Sequence, residues 1–251
     1  MNFANAPHTI TGAPWDGVSY FCTTRRGGAS AGPWSSFNLG LHTGDDRDHV
    51  MANRAALRAM LPAEPVWLDQ VHGAEVCDAD IARSAAGVPR ADAAVTCAPG
   101  RVLAIMTADC LPVVLAGMDG RALGMAHAGW RGLAAGVLEN TLEALRRRAA
   151  PGTAWRAWIG PAISQPHFEV GEDVFSAFVD QDAEAAQCFT PRGRPGKWLA
   201  DLPALACRRL QRAGVARVEL SGECSYAQAD KYYSYRRASP TGRMATLAWL
   251  R

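Results

Sequence analysis

Three side chains able to bind a metal or act as nucleophile and base, His72, Cys110 and His127, each lie where an apolar, strand-like run gives way to a loop. Such junctions bring side chains to the rim of a sheet, where ligands bind. A thiolate and two imidazoles meeting there form a borderline-soft donor set suited to zinc. They would leave one of four tetrahedral positions open, as a catalytic centre does. Their spacing alone is not diagnostic, because they are scattered along the chain rather than grouped in compact pairs. Without metal, Cys110 and His127 could instead serve as nucleophile and base of a thiol hydrolase.

Two neighbours extend this chemistry. Asp109, directly before Cys110, is expected either to carry a proton or, as the preferred reading, to orient one of the imidazoles. The segment His127-Ala128-Gly129-Trp130-Arg131-Gly132 passes from strand to helix through two glycines. Backbone N–H groups at that helix start could face an anion while Arg131 supplies a positive fork. The two glycines would equally permit a tight turn and close helix packing.

The elements that must position these groups are those of an ordinary globular chain. With 251 residues, 49% of them apolar, it can bury a core without disulfide or metal support. Lys+Arg 26 against Asp+Glu 24 leaves no broad cationic face for nucleic acid. The most apolar window, Val102 to Ala116, is interrupted by Asp109 and Pro112 and is too short to span a bilayer. The first residues lack the pattern of a signal peptide. The chain is therefore expected in the cytoplasm, with neither nucleic acid nor membrane as partner. Its 7 cysteines, an odd number without a CxxC pair, are expected to be mostly buried free thiols.

Apolar runs predict strands over Val18–Thr24, Val66–Gln70, Val102–Met106, Leu111–Ala116, Ala122–Ala126, Trp155–Ile159, Val215–Leu220 and Met244–Leu250. Helical spacing predicts helices over His49–Leu61, behind Asp45 and Asp46, over Trp130–Arg148, from Glu172 and Asp173 onward, and over Leu202–Ala213. Arg146, Arg147 and Arg148 read as a solvated helix end. Hairpin-close strands favour a mixed α/β sheet over a strictly parallel one.

Four ordered motifs together resemble those of the YfiH-like family: Trp67-Leu68-Asp69-Gln70-Val71-His72-Gly73, Thr107-Ala108-Asp109-Cys110-Leu111-Pro112-Val113, His127-Ala128-Gly129-Trp130-Arg131-Gly132 and Gly160-Pro161-Ala162-Ile163-Ser164. The similarity also takes in Asn38-Leu39-Gly40, His167-Phe168-Glu169-Val170-Gly171 and Tyr232-Tyr233-Ser234-Tyr235-Arg236-Arg237. Members of that family are labelled multicopper polyphenol oxidase or laccase-domain proteins and purine nucleoside phosphorylases. The resemblance implies one domain over residues 1–251, a layered α/β/β/α fold with mixed sheets sandwiched between helices, and zinc held by His72, Cys110 and His127. It also implies phosphorolysis of adenosine, inosine, guanosine and methylthioadenosine, with adenosine deamination alongside. A further implied role is editing of peptidoglycan precursors that carry serine in place of alanine. The similarity of the fold to a toxin deamidase keeps a Cys110/His127 amide hydrolase as the alternative.

True laccase chemistry does not suit the chain. A blue-copper centre with a three-copper cluster needs many histidines, several in His-x-His pairs; here there are 6 histidines and no such pair. Copper at the zinc position could still give weak oxidase activity. For phosphorolysis, Arg25 and Arg131 are expected on phosphate, and Asn38 and Gln70 on sugar or base. Tyr232, Tyr233 and Tyr235 could line a base pocket or an exposed strand end, and His42 is a secondary pocket candidate.

Overall fold

The computed structural model describes residues 7–81 and 87–251. Two sheets stack face to face. The larger has six strands in the order β12 (Arg217–Leu220), β8 (Trp155–Ile159), β6 (Leu111–Gly117), β7 (Leu123–Ala128), β4 (Ala93–Thr96) and β3 (Val76–Asp78). It is mixed: β6 runs antiparallel to β7 and β8, whereas β12–β8 and β3–β4 are parallel pairs. The second sheet is antiparallel, in the order β1 (Thr9–Ile10), β2 (Val18–Thr23), β13 (Met244–Leu250) and β5 (Leu103–Thr107).

Strand periodicity accounts for the layering. Every residue of β6 is buried, with Leu111, Val113 and Leu115 facing helices and Val114 and Ala116 facing the other sheet. β5 does the same in the second sheet: Leu103 and Ile105 point between the sheets, Ala104 and Met106 outward. The outward face packs on α1 (Arg47–Arg58) through Leu57. The far face of the six-stranded sheet is covered by α3 (Val137–Arg146) and α5 (Leu202–Arg212), through Val137, Leu138, Leu142, Leu145, Leu205 and Leu210. The result is the helix–sheet–sheet–helix order that the resemblance implied.

Several elements match their sequence signals closely. β8 and β13 have the expected bounds, and Asp46 caps α1 by accepting the N–H of Asp48 at 2.8 Å. Four expectations are corrected. Trp130–Arg148 is not one helix but α2 (Trp130–Ala134) and α3, separated by Gly136 at φ 89°, a left-handed turn that ends the first helix. Val66–Gln70 makes only isolated bridges, Val66 to Leu103 and Asp69 to Arg90. Arg148 is not a solvated end: it pairs with Asp78 and Asp80, tying the end of α3 to the β3 edge. Of the cysteines only Cys22 and Cys224 are buried; the other five are half-buried, and all seven are free.

The signals missed a small antiparallel sheet of β9 (Glu169–Gly171), β11 (Lys197–Ala200) and β10 (Phe189–Pro191), which stands beside α4 (Glu172–Val179).

Candidate metal centre and cavity

The chain crosses from the second sheet to the first between β5 and β6, through Ala108-Asp109-Cys110. So short a connection forces Asp109 to φ 97°, a conformation that L side chains rarely adopt. Two contacts hold it there: the Asp109 carboxylate accepts the hydroxyl of Ser225 and the N–H of Arg236, both at 2.7 Å. Its carbonyl accepts the N–H of Ile163 at 2.9 Å. Cys110 is thereby presented at the start of β6. His127 lies near the end of the neighbouring β7, in register with Pro112.

His72 reaches the same place from a loop and also has a left-handed backbone, φ 61°. Asp92, completely buried just before β4, explains how that conformation is kept. Its Oδ1 accepts the His72 N–H at 2.9 Å and lies 2.8 Å from Nδ1 of His127. Its Oδ2 accepts the N–H groups of Val71 and Gly73 at 3.1 and 2.7 Å. The carboxylate orienting an imidazole is therefore Asp92, which corrects the preferred reading of Asp109.

The nitrogen, sulfur and nitrogen donors of His72, Cys110 and His127 lie within 4.8 Å of one another. Zinc–sulfur and zinc–nitrogen bonds of about 2.3 and 2.0–2.1 Å place tetrahedral donors roughly 3.3–3.7 Å apart, so a small closure seats the ion. The surroundings fit as well. A Cβ on Gly129 would come within 2.9 Å of Cys110 Sγ and 3.0 Å of the His72 ring, so the absence of a side chain there leaves the donors their room. Among the described residues this is the one group of His, Cys, Asp and Glu side chains placed to share an ion.

Electrostatics favour the ligating forms. Burial alone pushes the Cys110 thiol up, but the charged His127 ring beside it overrides this and brings it down to about 6. Burial pulls His127 down, while the Cys110 thiolate and the Asp92 carboxylate carry it up to about 9. Between about pH 6 and about pH 9 the pair is thiolate and imidazolium. Ion uptake must then expel the imidazolium proton, and below about pH 6 the thiol proton as well. Calorimetry in buffers of differing ionisation heat should thus show proton release per zinc rising by roughly 0.7 from about pH 7.5 to about pH 5.5 on account of the Cys110 thiol, with affinity falling as pH falls. Release independent of pH would contradict the thiolate–imidazolium assignment.

A cavity of about 770 Å³ opens on the three donors, walled also by His42, Gln70, Asp109, Arg131, Phe168, Tyr235, Arg236 and Arg243. That volume suits a small-molecule site. Arg131 stacks on Trp130 at 4.6 Å and Arg236 on Phe168 at 5.3 Å, while half-buried Arg243 donates to the carbonyls of Thr241 and Gly242. None of the three has a carboxylate partner among the described residues, whereas Arg148, Arg208, Arg209 and Arg212 all do.

Two of the residues expected on substrate lie outside this wall. Arg25 donates to the carbonyls of Ser35 and Ala229 and lies over the Tyr233 ring. Asn38 is fully buried, giving its amide to Thr43 and Asp45 and accepting the N–H groups of Gly40 and Arg243. Gln70 does line the cavity, but both ends of its amide clamp the Met106 backbone at 2.8 Å. α2 has only five residues, and its first intrahelical bond runs from Leu133 N–H to Gly129, so the helix-start N–H groups are those of Trp130, Arg131 and Gly132, beside the Arg131 side chain. Tyr232 and Tyr233 are core residues; Tyr235 and His42 face the cavity.

The residues missed were Asp92, Arg236 and Arg243. The Tyr-Arg cluster ending in Arg236 and Arg237 was a usable signal for the second, and nothing local marks the other two.

Comparisons with known proteins give the family and the fold. A family model described as multi-copper polyphenol oxidoreductase laccase matches residues 19–251. Purine nucleoside phosphorylase PA4543 of Pseudomonas aeruginosa is 48% identical over 228 residues, covering 91% of each chain. Purine nucleoside phosphorylase YfiH of Escherichia coli is 45% identical over 236 residues, covering 93% of this chain and 94% of that one. The crystal structure of Neisseria meningitidis protein NMB0706 matches with a TM-score of 0.89 at 44% identity, over 98% of this chain and 99% of that one. Bacillus licheniformis YfiH gives a TM-score of 0.88 at 27% identity, over 98% of each chain. No helix among the described residues is long and apolar enough to cross a membrane. Agreement in sequence and backbone over almost the whole length means that this chain belongs to the YfiH-like family.

Proposed function

We propose that this chain is a zinc-dependent purine nucleoside phosphorylase. It would convert adenosine, inosine, guanosine or methylthioadenosine and phosphate into free base and the sugar 1-phosphate, with adenosine deamination as a side reaction. The carrying observation is the charge placement: Arg131, Arg236 and Arg243 face one cavity without carboxylate partners, so an anion is the missing counterpart. The names of the relatives supply the reaction class.

In phosphorolysis a phosphate oxygen bonds to C1′ while the C1′–N9 bond breaks. Its electron pair leaves with the base, which takes up a proton. The three guanidinium groups hold the phosphate, neutralise its charge and fix its approach. Phe168 and Tyr235 offer ring faces to the purine. Burial, with Arg243 and Arg54 nearby, holds His42 below the usual imidazole range, leaving it a neutral N–H donor for the departing base. Asp109, with both oxygens engaged, positions Arg236 and Cys110. Zinc bound by His72, Cys110 and His127, with copper as the other candidate, supplies Lewis acidity when present.

Metal-analysed protein given adenosine with and without phosphate should release adenine and ribose 1-phosphate in equal amounts only when phosphate is present. Full metal occupancy with every purine nucleoside left intact would overturn the assignment. The closeness of Cys110 to His127 favours one second reading, an amide hydrolase acting on a serine-bearing peptidoglycan precursor. Amide cleavage that survives chelation and is lost when Cys110 is alkylated would establish it.

A further inference from the structure

Asp92 stands outside the metal-binding trio yet touches two of its members. Four N–H groups converge on it: His72 N–H and His127 Nδ1 on one oxygen, Val71 and Gly73 N–H on the other. An ionised carboxylate offers about four lone-pair sites and no hydrogen, so all four contacts are donations to Asp92. That assigns the proton on the His127 ring. Nδ1 bears a hydrogen, and Nε2 is the nitrogen left for Cys110 and a metal ion. The same oxygen fixes His72 through its backbone. The left-handed turn at His72 is braced from the other side by Gly132, where a Cβ would come within 2.6 Å of the Gly73 carbonyl oxygen.

We infer that Asp92 is the positioning residue for both imidazole ligands at once, selecting the Nδ1–H tautomer of His127 and the left-handed backbone that presents His72. The inference rests on the metal-dependent reading above, but not on the identity of the substrate. Its sharpest consequence is that asparagine cannot substitute. With the amide nitrogen in place of Oδ1, a donor faces the His72 N–H and the His127 ring must turn its lone pair to Nδ1, placing hydrogen on Nε2. With the amide nitrogen in place of Oδ2, donors face the N–H groups of both Val71 and Gly73. No orientation of the substituted amide satisfies all four donors.

The test uses histidine nitrogen NMR on the zinc-loaded wild-type chain and cobalt(II) titration of wild type and Asp92→Asn. In the wild type, His127 should show a protonated Nδ1 and a metal-bound Nε2. In Asp92→Asn, cobalt affinity should fall about 10- to 100-fold, the usual cost of losing a partner that orients a ligand. The thiolate-to-cobalt charge-transfer band of Cys110 should remain, while the His127 resonances cease to respond to metal. A metal-bound Nδ1 in the wild type overturns the inference whether or not the variant folds. So does an Asp92→Asn protein with wild-type affinity and a metal-responsive His127. Wild-type protein that takes up no metal sinks the metal reading and this inference with it. Zinc bound through the wrong nitrogen sinks this inference alone.

Discussion

Replacing Cys110, His72 or His127 by alanine should strip the chain of stoichiometric zinc and slow adenine release by at least about 1,000-fold. The magnitude follows from the several kcal/mol that a bound cation contributes to charge stabilisation, each 1.36 kcal/mol being tenfold in rate. The fold should survive the His72 and Cys110 changes, because His72 is exposed and Cys110 half-buried at the rim of the sheets, whereas His127→Ala also removes the partner of buried Asp92 and should lower the melting temperature. Cys188→Ala and Cys207→Ala serve as controls: both thiols are half-buried away from the cavity, and neither change should alter metal content or rate. The measurements are metal analysis, phosphate-dependent product release and thermal melting of each variant. A Cys110→Ala protein that keeps its zinc and its rate would show that the sulfur is not a ligand.

The second large effect concerns stability. Asp92→Ala removes the partner of a buried imidazolium and leaves three backbone N–H groups without an acceptor. Removing one member of a buried charged pair costs about 3–5 kcal/mol, and the loss should appear as a lower urea midpoint in metal-free protein.

Its pH dependence follows from two opposed shifts. Burial alone would raise the Asp92 carboxyl, but the His127 hydrogen bond and the Gly73 and Val71 N–H groups hold it below its ordinary value. A depressed carboxyl stabilises the fold fully above its unfolded value of about 3.9, and this contribution is lost as pH falls through the lower folded value. His127, raised to about 9, contributes fully below its unfolded value of about 6.5. That part is lost as pH rises through about 9. The gap between wild type and Asp92→Ala should therefore be widest from about pH 4 to about pH 6.5, narrowing on either side. Urea midpoints at several pH values would show it, and a gap that does not change with pH would refute the ion-pair account.

Apolar periodicity made the two sheets and most helices legible, because β6, β8 and β13 are buried runs of uniform character. It also located Cys110 and His127 at strand ends, while the apolar run before His72 folds as a loop held by isolated bridges. Gly136 was a visible helix stop, overridden by the apolar stripe that continues beyond it.

The polar wall of the cavity was harder to read, for a physical reason. Asn38 and Gln70 are amides of the kind that contact ligands, but amides also satisfy backbone groups, and only the folded chain reveals which partner wins. Asp92 hides before the alanine-rich β4, whose low strand propensity gives no hint of a buried strand. Arg243 is placed by contacts remote in sequence: Asn38, some two hundred positions earlier, holds its N–H, and β13 directly after it pairs with β2 and β5.

The guanidinium groups that face the cavity without a carboxylate partner have a kinetic consequence. The chain is almost neutral overall, with a formal net charge of +2, so its long-range field is set by where charges remain uncompensated. A mouth edged by Arg131, Arg236 and Arg243 draws small anions inward before any contact is made. At physiological ionic strength the ionic atmosphere damps that pull beyond about 8 Å, so only the last stretch of diffusion is guided. Capture of phosphate should accordingly slow as salt is added, while entry of an uncharged nucleoside is left almost untouched.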